Sequence, residues 1–91
     1  MKVEYQLTAT AICPVDGNRR DVYELRVAAD HMIPVEEILA AASAFSDRAV
    51  FQEDLTQQLA DRLDARVVTA GDHSGVATRC VARPSLGERR G

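Results

Sequence analysis

Two short β-hairpins bracketing a pair of helices make this sequence an α+β domain: a four-stranded antiparallel sheet with both helices on one face. Three observations predict it. Apolar residues alternate with polar ones toward both ends of the chain, the period of half-buried strands. The middle carries apolar residues three and four apart, the period of amphipathic helices. Turn residues fall between the members of each alternating pair. The order β-β-α-α-β-β has no repeat and no internal linker. We therefore expect one domain over 1–83 and a disordered polar tail, PSLGERRG, over 84–91.

The first strand is read from Val3, Tyr5, Leu7, Ala9 and Ala11, and the second from Tyr23, Leu25, Val27 and Ala29. Asp16-Gly17 between them supplies the turn. Pro34 suits the first turn of a helix, where its missing N–H costs nothing. Val35, Ile38, Leu39, Ala42 and Phe45 share one face, which predicts a helix over 34–46. Ser46 or Asp47 can cap a second helix. Phe51, Leu55, Leu59 and Leu63 recur every fourth residue and predict that helix over 48–64. Strands over 67–69 and 76–81 then flank the loop GDHSG. One face of the sheet is left without a covering element, and association of subunits is the expected cover.

Composition narrows the function. With 91 residues, the chain buries roughly 60–65% of its surface on folding, so a lone copy is marginally stable and gains from association. No apolar run approaches the roughly 20 residues of a membrane span, and the N-terminus lacks a signal-peptide core. A cytoplasmic protein with no membrane partner is expected. The net charge of −3 does not favour a binder that works by neutralising phosphates, so tRNA contact is not supported by charge. The two cysteines, Cys13 and Cys80, are too far apart in sequence for a zinc spacing and read as free thiols.

Two segments add a resemblance. FQEDLTQQLADRL, followed by ARVVTAGDHSGVATRC, is similar to the C-terminal half of GTP cyclohydrolase I. There a Gln-Glu-x-Leu-Thr-x-Gln helix leads into a strand, a histidine-bearing loop and a strand ending near arginine. ICPVDGN resembles the Cys-Pro-x-Thr-Gly-x-Pro-Asp segment of the 7-cyano-7-deazaguanine reductases. Both families share the tunnelling fold (T-fold), whose element order matches the one derived above. The resemblance implies a T-fold protomer assembled into a ring or barrel, a homo-oligomer with sites between subunits.

It also implies roles. Glu53 falls where these families anchor a guanine-like or pterin ring, a task suited to a carboxylate that accepts two parallel hydrogen bonds. Gln52 stands beside it to assist. Cys13 falls where the reductases hold the thiolate that attacks a nitrile to give a covalent thioimide. His73 matches a proton-transfer histidine of the cyclohydrolase. Asp21 is a candidate general acid, one residue beyond the position of the reductases' aspartate, which is Arg20 here. A one-residue bulge would bring it into place.

The departures set the cofactor expectations. The cyclohydrolase's zinc cysteine is replaced by Gly75, and its Cys-x-x-His pair is not matched after Cys13. A catalytic zinc needs three protein ligands, so no metal site is expected. The reductases' lysine-rich nicotinamide motif is replaced by VAADHMIPVEE, and the chain's only lysine is Lys2, so no NADPH is expected.

The leading expectation is an enzyme acting on a guanine-like heterocycle, a 7-deazaguanine nitrile, through a Cys13 thioimide without reduction. The archaeal enzymes that convert a tRNA-borne nitrile to an amidine resemble this arrangement. The alternative is a non-catalytic purine- or pterin-binding or assembly subunit, with a zinc-dependent cyclohydrolase third. Each residue also has a plainer reading. Cys13 can be a strand-end thiol packed as a small hydrophobe, and Glu53 a first-turn glutamate complementing the helix dipole. His73 can be an ordinary loop residue, and His31, just before a helix, is read that way; Cys80, on the last strand, is explained by packing or edge exposure.

Overall fold

The computed structural model describes residues 1–85. Its elements are β1 (Val3–Ile12), β2 (Arg20–Ala29), α1 (Val35–Ser43), α2 (Gln52–Leu63), β3 (Arg66–His73) and β4 (Val76–Ala82). All four strands are antiparallel in the spatial order β1-β2-β3-β4. Helix α1 packs on β1 and α2, and α2 packs on β3 and β4. The alternation in β2 survives intact: Tyr23, Leu25 and Val27 are buried on the helix side while Glu24 and Arg26 face outward. Leu55, Leu59 and Leu63 of α2 close the same core.

The expected helix over 48–64 starts late, at Gln52. Ile12 N–H donates to Arg48 O at 2.9 Å and Val50 N–H to Ile12 O at 3.3 Å, with Ile12 and Ala49 in a parallel bridge. Residues 48–50 are thus extended along the end of β1. That pairing supplies backbone partners a helical conformation would have sought within the helix. The expected helix over 34–46 ends at Ser43; α1 buries Ile38, Ala41 and Ala42, with Phe45 buried in the turn after it, whereas Val35 and Leu39 are exposed at 58% and 54%.

The expected loop GDHSG is a two-residue turn. Ser74 and Gly75 both have positive φ, 55° and 86°, the twist that matches antiparallel strands. Asp72 Oδ1 accepts from Gly75 N–H at 2.8 Å and steadies the turn. His73 is therefore the last residue of β3, paired with Val76, rather than a loop residue.

The outer sheet face carries Glu4, Gln6, Glu24, Arg26, Arg66 and Arg79 around a groove of about 530 Å³. An antiparallel sheet tolerates water on such a polar face, so the fold does not by itself require a cover there. At the C-terminal side Ser85 N–H donates to Asp61 Oδ1 at 2.7 Å and Gln57 Nε2 to Arg83 O at 2.8 Å, tying the chain to α2 two residues beyond the expected boundary at 83. Residues 86–91 of the expected tail lie outside the described residues. Among the described residues no helix is long and apolar enough to cross a membrane.

Candidate functional site

Cys13 follows directly on β1. Its N–H donates to Arg19 O at 2.9 Å, closing a loop in which Asn18 N–H donates to Asp16 Oδ1 at 3.0 Å. The Asp16-Gly17 turn thus carries the chain back so that β2 begins beside Cys13. Arg20 points outward, where its guanidinium donates to Ser46 O and lies 3.4 Å from Asp47, holding the approach to α2. This clamp and the 48–50 pairing bring the start of α2 to the end of β1. No side chain caps that helix start.

The result is a cleft of about 210 Å³ lined by Cys13, Asp21, Gln52, Glu53 and His73, with Tyr23 and Phe51. The five residues given site roles from the sequence, Cys13, Asp21, Gln52, Glu53 and His73, border one space within one chain. Four larger grooves, of about 440 to 780 Å³, are also present, and no cysteine or histidine lines any of them. Among the described residues no group of three or more His, Cys, Asp or Glu could hold a metal ion.

Asp21 reaches the cleft without a bulge. It pairs in register with Ala11 and is simply the next inward position after Tyr23. It is buried, 5% exposed. Tyr23 Oη donates to its Oδ2 at 3.3 Å, and Arg19 Nε lies 3.5 Å from Oδ1. Oδ1 itself makes no hydrogen bond among the described residues. Arg19 also donates to Asp72 O at 3.3 Å and Ser74 Oγ at 3.4 Å, spanning the two hairpin ends.

Tyr23 forms part of the floor. The β2–β3 ladder stops at Glu24–Ala70, and the phenol ring lies over the next β3 residue, Gly71. A Cβ at Gly71 would sit 2.6 Å from Tyr23 Cδ1, so only glycine admits the ring. Burial first, then the charge and hydrogen bond of Asp21, push the Tyr23 phenol well above its ordinary pKa. It remains a proton-bearing donor to Asp21 throughout the physiological range.

Gln52 is buried and its side chain is fully engaged. Nε2 donates to Thr69 O at 3.2 Å and Thr69 Oγ1 at 3.1 Å. Oε1 accepts from Thr78 Oγ1 at 2.6 Å and meets His73 Nε2 at 3.2 Å. Its amide therefore has no capacity left for a ligand; what it offers the cleft is the placement of His73, whose ring also lies 6.0 Å from that of Tyr23. Glu53 has no hydrogen bond or ion pair among the described residues and is exposed, one residue into the helix. Cys80 sits outside the cleft lining; burial, and then the charge of Glu53, push its thiol pKa up.

Sequence reasoning missed Tyr23 and the threonines. Tyr23 was in phase with Leu25 and Val27 and so read as core, which it also is. The signal for the network was Thr69, a polar residue at an inward position between Val67 and Gly71.

The element order, the sheet order and the helix pair define a T-fold protomer. The crystal structure of the archaeosine synthase QueF-Like in the apo form matches it with a TM-score of 0.83, over 91% of this chain and 92% of that one, at 18% sequence identity. At that identity the likeness is one of fold. No protein-family model matches the sequence, and no curated protein sequence matches it.

Proposed function

We propose that this chain is the protomer of an enzyme acting on a guanine-like heterocycle, 7-cyano-7-deazaguanine or a nucleic acid carrying it, through a covalent Cys13 thioimide. The observation that carries the reading is the shared cleft: Cys13 and the unengaged Glu53 border one space together with Asp21 and His73. A neighbour in fold that is an archaeosine synthase supports the 7-deazaguanine assignment.

Glu53 accepts from the ring N–H and the exocyclic amine, and Phe51 beside it offers an aromatic face for stacking. The Cys13 sulfur adds to the nitrile carbon: an S–C bond forms, one C–N π bond breaks, and the nitrogen takes up the thiol's proton through Asp21 or His73. The start of α2 borders the cleft without a side-chain cap, and the positive end of its dipole favours negative charge developing there. An amine such as ammonia then attacks the thioimide carbon and expels the thiol, giving an amidine. The nitrile is not reduced and the thiol itself is the nucleophile, so the scheme uses neither NADPH nor zinc.

The cleft of about 210 Å³ is smaller than the roughly 300–1,000 Å³ of pockets that enclose a ligand. Val15 and Phe51 on its rim are 84% and 51% exposed. Both features suit a site completed by a second subunit, and the reading therefore includes a homo-oligomer. With a net charge of −3, contact with tRNA would need a locally basic surface on that assembly.

The test is intact-protein mass spectrometry after incubation with 7-cyano-7-deazaguanine. A mass gain equal to the ligand in the wild type and in Cys80→Ala, absent in Cys13→Ala, is expected. No adduct at saturating ligand would remove the thioimide. A second reading, a non-catalytic purine- or pterin-binding subunit, is favoured by the depth of Cys13, only 9% exposed. It predicts ligand binding that depends on Glu53 without any adduct.

A further inference from the structure

The groups around Gln52 fix which way its amide points, and with it which nitrogen of His73 carries a proton. Thr56 Oγ1 donates to Gln52 O at 2.7 Å. Thr56 Oγ1 also meets Thr69 Oγ1 at 2.7 Å, a contact that either hydroxyl can donate. Whichever way that proton lies, Thr69 Oγ1 accepts from Gln52 Nε2 at 3.1 Å. The backbone oxygens of Thr69 and Thr78, 3.2 and 3.5 Å from the same nitrogen, can only accept. Rotating the amide by a half turn would press its oxygen against both carbonyls, so its orientation is fixed. Oε1 therefore faces Thr78 Oγ1 and His73 Nε2, and an acceptor opposite Nε2 requires a proton on it.

We infer that Gln52 is a positioning residue that holds neutral His73 as the Nε2–H tautomer and leaves Nδ1 as the ring nitrogen that exchanges protons in the cleft. The tautomer follows from the protein alone. Its catalytic consequence rests on the function proposed above: His73 Nδ1 takes the proton from the Cys13 thiol as the S–C bond forms, then hands it to the nitrile nitrogen as the C–N π bond breaks. The sum is addition of S–H across C≡N, with no other reactant. The ring begins the cycle as an acceptor, which is what a nucleophile that starts as a thiol needs.

The experiment uses the fact that the chain has two histidines. In His31→Gln, which removes an exposed imidazole paired with Asp30, every ring signal belongs to His73. Long-range ¹H–¹⁵N correlation spectra of this protein, at a pH where the imidazole is neutral, are expected to show a protonated Nε2 and a pyridine-like Nδ1 with no second tautomer. A protonated Nδ1, or the averaged pattern of free imidazole, would overturn the inference. Adding Gln52→Met is expected to give the averaged pattern; an unchanged single tautomer in the folded variant would show that Gln52 is not the cause. If Gln52→Met does not fold, Gln52→Asn serves, since it withdraws the same amide from the ring by one methylene. The spectra need no ligand. Failure of the adduct experiment would thus remove the substrate while leaving the tautomer standing, and an averaged spectrum would do the reverse.

Discussion

The helix–sheet layer has two ends built from the same three elements, β2, β3 and α2, and they follow opposite rules. At one end Leu25, Val27, Leu55, Leu59, Leu63 and Val67 are at most 6% exposed and wholly apolar. At the other, Asp21, Tyr23, Gln52, Thr56 and Thr69 are equally buried and all polar or hydroxyl-bearing. The apolar end gains by area removed from water and needs no particular partner. The polar end loses unless each group finds one. Gln52, Thr56, Thr69 and Tyr23 do find partners; Asp21 Oδ1 makes no hydrogen bond among the described residues, and it borders the cleft. Stability is concentrated away from the cleft, which leaves the cleft end free to hold groups that cost stability.

That contrast can be broken from either side. Leu59→Ala, at a position 0% exposed, is expected to cost about 2–5 kcal/mol, read from urea unfolding; a loss well below 1 kcal/mol would show that the apolar end does not carry the fold. Gly71→Ala drives a Cβ against the Tyr23 ring and is expected to cost about 1–3 kcal/mol. An unchanged unfolding midpoint would mean the ring can move aside freely.

The next test uses alkaline pH. Because the folded Tyr23 phenol holds its proton more tightly than an unfolded one, its contribution to stability is fully present below about pH 10, the unfolded value. It is lost as pH rises from there towards the folded pKa, since the native state then binds more protons than the unfolded one. Tyr23→Phe should therefore flatten the alkaline fall in stability relative to wild type; parallel curves would argue against a buried, Asp21-bound phenol. The smallest stability effect belongs to Glu53→Gln. The midpoint should stay within about 0.5 kcal/mol of wild type, while affinity for a guanine-like ligand, measured by calorimetry, drops at least tenfold. Equal affinity would take Glu53 out of the site.

Much of this was legible from spacing. The alternation from Tyr23 to Ala29 is the inward face of β2, and extending its period by one step places Asp21 inside with no bulge. The leucines of α2 face the core as their spacing requires. What misled was local. Val35 and Leu39 lie on the apolar side of α1 in sequence, yet no element covers them among the described residues. Ser46 and Asp47 are good cap residues that suggest a helix from 48, yet residues 48–50 pair with the end of β1 instead. Gln52 reads as a ligand contact beside Glu53, and only its partners on β3 and β4 show that its amide is already spent.

By itself the sequence determined the element types, their order, the inward face of β2 and the buried leucines of α2, though not the exposure of Phe51 or the burial of Gln52 and Thr56, because periodicity is a property of neighbours along the chain. It also determined which residue types were available for chemistry. Tertiary structure alone decided that Cys13, Asp21, Glu53 and His73 share a cleft, that Gly71 must be bare, and that Gln52 serves His73. Those outcomes depend on the register of strands distant in sequence but paired in the sheet, and on where a helix starts, and both are set by hydrogen bonds between residues far apart in the chain.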